Sequence, residues 1–119
     1  MGSPLNSGWP IVFDPEFEEE YGHFPVAAKK AILKKLALVR QYGPGLGRPH
    51  ADTLAGSSLA NLQELVVQVG GEPWRILYAF NKDRSAVLLG GGNKGGENER
   101  RWYNDQIGVA IRRAKTHRF

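Results

Sequence analysis

Apolar residues recur at Ala28, Ile32, Leu36 and Val39, with Leu33 beside them, and Lys29, Lys30, Lys34 and Lys35 fall away from that stripe. The spacing predicts a helix from about Val26 to Tyr42, stopped by Gly43-Pro44-Gly45. The stripe is core, and the lysines are a solvated face, with a nucleic-acid or partner surface as the alternative. Upstream, Trp9 to Phe13 reads as a short strand. Asp14 stands at a helix N-cap, Pro15 at the first helical position, and Glu16, Glu18, Glu19 and Glu20 load the first turns with charge that suits the helix dipole. Gly22 to Pro25 ends that helix. Residues 43–61 lack periodicity and read as a long ordered loop.

Downstream the period changes to two. Leu62 to Val69, Trp74 to Phe80 and Ser85 to Gly90 predict a meander of three strands, joined by Gly70-Gly71-Glu72-Pro73 and by Asn81-Lys82-Asp83-Arg84. A glycine-rich loop, Gly90 to Gly96, leads to a last helix from about Glu97 to near His117, with Tyr103, Ile107, Ile111 and Ala114 as its buried stripe. The order β-α-α-β-β-β-α predicts an α+β domain over residues 9–119, with helices packed on one side of a mainly antiparallel sheet. Residues 1–8 are read as an N-terminal extension, and Met1-Gly2-Ser3-Pro4 is compatible with a vector remnant.

If residues 70–73 form a four-residue hairpin loop, Val69 pairs with Trp74 and alternation sorts the side chains. Leu65, Val67 and Val69 then share an apolar face with Trp74, Ile76, Tyr78 and Phe80. Glu64, Val66 and Gln68 share the other, thinner and open face with Arg75, Leu77 and Ala79. An arginine in mid-strand on an open face can hold two phosphate oxygens in a fork. The plain alternative is a cross-strand pair of Arg75 with Glu64 or Gln68 that keeps the sheet soluble.

Composition narrows the partners. The 119 residues carry 16 Lys and Arg against 12 Asp and Glu, a net charge of +4, which favours an anionic partner, nucleic acid first. The absence of cysteine removes disulfides and thiolate metal sites and fits a reducing, cytoplasmic setting. No apolar run approaches the roughly 18 residues of a membrane helix, and the first residues lack the pattern of a secretory signal. His23, His50 and His117 have no metal-ligand spacing, so neither metal nor cofactor is expected.

The glycine run around Lys94 brings a cation to flexible backbone at a helix start, although it is not a Walker motif and a plain strand-to-helix turn explains it as well. Arg48, His50 and Asp52 lie in the long loop, where a histidine can move protons near neutral pH or simply be solvated. Arg100, Arg101, Arg112, Arg113, Lys115 and Arg118 make the last helix basic, fit to track a phosphate backbone, contact an acidic partner or face solvent.

A joint pattern runs through these segments. Asp14-Pro15-Glu16-Phe17, Leu46-Gly47-Arg48-Pro49, Asp52 to Ser57, Asn61 to Leu65, Gly71 to Phe80, Ala86 to Lys94, and a closing helix with Trp102, Tyr103 and Ile107 resemble the phage-derived HigB-like branch of the RelE/ParE toxin superfamily. The resemblance implies three helices on a twisted antiparallel sheet, an endoribonuclease that cuts messenger RNA in the ribosomal A site, and a cognate antitoxin. It implies cleavage by attack of a 2′-OH on the adjacent phosphate. On that reading Arg75 is the phosphate clamp, Lys94 and Arg48 are supporting cations, and Tyr103 and His50 are the proton-transfer or stacking groups. Arg84, Arg100, Arg101 and Gln68 are candidate RNA contacts. The chain departs from the branch at two cationic positions: Val66 replaces the arginine after the Glu-Leu pair, and Ala55 the lysine before the loop glycine. Low intrinsic activity follows from those losses. Two rivals use the same fold: a ParE-like gyrase inhibitor, and a catalytically silent module that binds antitoxin or ribosome.

Overall fold

The computed structural model describes residues 8–96 and 98–119. Most of the predicted N-terminal extension, 1–7, lies outside the described residues. The chain builds β1 (Ile11–Phe13), α1 (Pro15–Gly22), α2 (Val26–Tyr42), a 3-10 turn (Gly43–Gly45), β2 (Ala51–Thr53), β3 (Gln63–Val69), β4 (Glu72–Phe80), β5 (Ala86–Asn93) and α3 (Glu99–Ala114). The strands form one sheet in the order β1-β5-β4-β3-β2. Only β1, against β5, is parallel.

Local chemistry sets the boundaries. Asp14 caps α1, its Oδ2 accepting from the N–H groups of Glu16 (2.9 Å) and Phe17 (3.2 Å), with Pro15 where a missing N–H is harmless. At Gly43, φ is +56° and an added Cβ would lie 2.4 Å from the Trp9 ring, so only glycine can end α2 there. Gly70 and Gly71 both take positive φ, and Val69 pairs with Glu72: the hairpin turns in two residues, not four. The shift is by two positions, so the predicted sorting of side chains onto faces is unchanged.

One face carries Leu65, Val67, Trp74, Ile76, Tyr78 and Leu88, packed against Phe17 of α1 and Ala28, Ile32, Leu36 and Val39 of α2. Phe13, Phe17, Tyr21 and Phe24 add an aromatic cluster that reaches Trp74. The α+β class and the predicted element order hold, but helices on one side do not. Leu77, Ala79, Val87 and Leu89 form a second core against Trp102, Ala110 and Ala114, so α3 covers the opposite face. The reason lies in β5, where Val87-Leu88-Leu89 is apolar on both sides and needs cover on both.

Three further differences follow from packing. The region read as a loop contains β2, a three-residue edge strand paired to Gln63–Leu65. β5 runs on to Asn93 through the glycines, because a Cβ on Gly91 would meet the Arg75 carbonyl oxygen at 2.3 Å and glycine alone lets β5 close on β4. On α3 the deepest side chains are Trp102, Ala110, Arg113 and Ala114, while Tyr103, Ile107 and Ile111 are half-buried.

Candidate functional site

Arg75 sits near the start of β4, directly across from Val66 of β3. Its neighbour on the same face is Glu64, one step along the pleat. The Arg75 Nε lies 3.5 Å from Glu64 Oε1, and Arg75 Nη1 donates to the Trp74 carbonyl oxygen (2.9 Å). Tyr103, on the first turns of α3, donates its hydroxyl proton to the same Glu64 oxygen. Lys94, just past β5, places Nζ 5.3 Å above the Tyr103 ring and 2.9 Å from Glu99 Oε1. Arg75, Glu64, Tyr103 and Lys94 are thus one connected cluster where α3 begins to cross the sheet. The Arg75 and Glu64 side chains are only 16% and 15% exposed, and that of Lys94 11%, so these charges are held, not waving in solvent.

The cluster has a definite proton chemistry. Burial, reinforced by the Glu64 carboxylate, pushes the Tyr103 phenol well above its ordinary range. At neutral pH it is a hydrogen-bond donor, not a base. Glu64 is the acceptor at the centre. Two cations, Arg75 and Lys94, stand against two carboxylates, Glu64 and Glu99, so the cluster is close to neutral. Anion affinity therefore rests on how well a phosphate competes with those internal partners.

The other candidates separate from this group. Arg100 and Arg101 are exposed on the first turn of α3, beside it. Asn98 caps that helix by accepting from the Arg101 N–H (3.1 Å). Arg48 is exposed and paired with Asp52 (3.0 Å) before β2. The His50 carbonyl accepts from the Val66 N–H (2.8 Å), yet its ring turns to α2, where Lys35 Nζ is 2.9 Å from Nδ1. Lysine donates, so Nδ1 accepts and the ring proton sits on Nε2. Gln68 is exposed at the outer edge of β3. Arg84 stacks on Trp9, 4.7 Å from the ring centroid, in the turn beyond the far end of β4. The rise from Arg75 to Phe80 alone is roughly 17 Å. The glycine run serves mainly as strand: Gly91 N–H donates to Gln106 Oε1 (3.0 Å), which ties β5 to α3. Among the described residues no group of His, Asp or Glu is arranged to hold a metal ion.

Sequence reasoning treated Glu64 only as a neutralising partner and passed over Glu99 and Gln106. The contact that makes Glu64 central spans 39 positions to Tyr103, and only the placement of α3 on this face reveals it. The signal available beforehand was parity, which already put Glu64 beside Arg75.

A family profile described as phage-derived protein Gp49-like matches residues 19–115. The chain belongs to this Gp49-like family. The HigB3 protein of Mycobacterium tuberculosis, named as a toxin, is 34% identical over 105 residues, which cover 88% of this chain and 90% of that one. HigB2 of the same organism, also named as a toxin, is 36% identical over 80 residues, 66% of this chain and 39% of that longer protein. A mutant of the E. coli toxin RelE, solved in the free state, superposes with a TM-score of 0.62 at 14% identity, covering 89% of this chain and 97% of that one. The Gp49-like chain is thus a HigB-like toxin by sequence, with RelE's fold.

Proposed function

We propose that this Gp49-like protein is the toxin of a type II toxin–antitoxin pair and inhibits translation by cutting messenger RNA at the ribosome. The observation that carries the reading is the cluster on the α3 face, in which a mid-strand arginine, a lysine and a phenol are fixed around one carboxylate. RNA cleavage by its own 2′-OH needs little from the enzyme beyond alignment, stabilisation of extra negative charge and proton transfer. Arg75 clamps the phosphate, and Lys94 adds charge from the side of the Tyr103 ring. Tyr103 donates a hydrogen bond to the developing anion. Glu64 holds Arg75 and Tyr103 in register. Arg100 and Arg101 meet the RNA backbone outside the cluster. Arg48 and His50 stand apart, so the catalytic assignment narrows to Arg75, Lys94 and Tyr103. Among the described residues no helix is long and apolar enough to cross a membrane. The setting is the cytoplasm, and a cognate antitoxin holds the protein in check.

Val66 gives the activity its expected level. It faces Arg75 across the ladder, where the resembled branch carries an arginine. A second guanidinium there would outnumber the internal carboxylates, and this chain lacks it. The test is a reconstituted translation reaction with messenger cleavage mapped by primer extension. Cuts at A-site codons that disappear in Arg75→Ala are expected. An intact messenger alongside inhibited supercoiling by purified gyrase would transfer the protein to the gyrase-directed class.

A further inference from the structure

Beyond Leu88 the outer edge of β5 has no strand beside it among the described residues, because β1 covers only Ala86 to Leu88. Two side chains of α3 finish that edge instead. Arg113 donates to the Leu89 carbonyl oxygen (2.9 Å), and Gln106 Oε1 accepts from the Gly91 N–H (3.0 Å). Gln106 reaches in over Gly90, which stands opposite Leu77 on the α3 face of the sheet. A Cβ on Gly90 would lie 3.0 Å from Gln106 Oε1, so the glycine leaves the amide its room. One turn earlier, Tyr103 hooks Glu64, which stands opposite Leu77 on the other side. Glu64, Leu77 and Gly90 thus form one row across β3, β4 and β5. α3 is bonded at both ends of that row, through Tyr103 to β3 and through Gln106 to β5, with the buried Leu77 between them.

We infer that Gln106 is a positioning residue for the cluster: its bond to Gly91 sets where the first turns of α3 lie on the sheet, and so holds the Tyr103 hydroxyl in reach of Glu64 and Arg75. Residues three apart are neighbours on a helix surface, so a pin at Gln106 acts directly on Tyr103. Arg113 cannot do this alone. It fixes the far end of α3, and a helix held only there pivots. Trp102 packs on the same sheet, but apolar contact is not directional. The bond from amide to backbone fixes both distance and direction. Misplacement by about 1 Å at a site of this kind costs up to about 100-fold in rate. The kinetic consequence rests on the proposed RNA cleavage; the placement of Tyr103 does not.

The experiment pairs NMR of the full chain with the mapped translation assay. Gln106→Leu keeps the size of the side chain and removes the acceptor. It should speed exchange of the Gly91 amide and shift the Cζ resonance of Tyr103. It should also lower the maximal cleavage rate about tenfold at an unchanged half-saturating concentration of ribosomes. Gln106→Glu still accepts from Gly91 and should restore both the resonance and the rate. Gly90→Ala crowds the amide from the sheet side and should reproduce the Tyr103 shift, which keeps the test open if Gln106→Leu fails to fold. Ile111→Ala removes packing further along α3 and should leave the Tyr103 resonance and the rate of the folded protein as in the parent. A Tyr103 resonance that stays put once the Gly91 amide is freed, a full rate in Gln106→Leu, or an equal loss of rate in Ile111→Ala would each overturn the assignment. A parent that makes no cuts removes the RNA reading alone, because the Gly91 and Tyr103 resonances still decide the positioning.

Discussion

Two arginines mark the two ends of α3, and they live differently. Arg113, near its C-terminal end, has a side chain only 5% exposed and faces three carboxylates: Asp14 at 3.7 Å, Glu16 at 3.1 Å, and Glu20. It also donates to the Leu89 carbonyl oxygen (2.9 Å). His117 Nε2 lies 2.8 Å from Asp14 on the other side. Burial works against the Arg113 charge, but Glu20, Glu16 and Asp14 outweigh it and raise its pKa. All three guanidinium nitrogens donate, through four hydrogen bonds, and the result is a clasp joining α3, the first turns of α1 and β5. Arg75, which meets the first turns of α3 from β4 through Glu64, has one carboxylate at 3.5 Å and a guanidinium edge left over. The difference teaches that saturation, not burial, separates a structural arginine from one available to a ligand. Sequence alone made both look like candidates for phosphate.

That comparison can be broken at either end. The largest expected effect is at Arg75: Arg75→Ala should lower messenger cleavage about 100- to 1000-fold, as removal of a single anion stabiliser does elsewhere, with the thermal midpoint little changed. A fold that melts with it would make Arg75 a second clasp. Arg113→Ala should do the reverse. Leaving the buried Asp14 carboxylate without its cation costs about 3 kcal/mol, at the low end for broken buried pairs because Glu16 and Glu20 reach solvent. The neighbouring Arg112→Ala removes an exposed, solvent-screened Arg112–Glu16 pair and should leave stability nearly unchanged. Equal losses in denaturant melts of the two variants would remove the distinction drawn here. Next in size is a gain. Val66→Arg sets a second guanidinium opposite Arg75 and should raise cleavage on the order of 10-fold. No gain in the mapped translation assay would mean that charge at this position does not limit the reaction.

How far the sequence reached depends on the range of the forces involved. The α2 boundaries came out at Val26 and Tyr42 because an apolar stripe and a glycine stop are local signals. The two sheet faces came out correctly despite a wrong turn length, since alternation survives a shift by two. β2 was lost because Ala51-Asp52-Thr53 is short, polar and ordered only by its partner strand. α3 was put on the wrong side because its apolar spacing fits either face; the apolar run Val87-Leu88-Leu89 held the missing information. At the site, Arg75, Lys94 and Tyr103 were legible as chemistry. Their meeting around Glu64 was not, because it depends on where α3 crosses.

The smallest effect tests the carboxylate that joins the cluster. Folding raises the pKa of Tyr103, chiefly by burial and then through Glu64, and burial raises that of Tyr78 to about 12. A group whose pKa is higher folded than unfolded contributes stability that is whole below the unfolded value and is lost as pH climbs toward the folded one. The protein should therefore lose stability progressively above pH 10, the ordinary phenol value, with Tyr78 and Tyr103 as the main contributors. Tyr103→Phe removes one of them and also withdraws a hydrogen bond from a carboxylate that is 15% exposed, which costs about 1 kcal/mol at neutral pH. Denaturant midpoints should then show the variant less stable than the parent at pH 7 and closing on it as pH rises past 10. A gap that stays constant across that range would mean the phenol is not held protonated in the fold, and the assignment of Tyr103 as a donor beside Arg75 would fall with it.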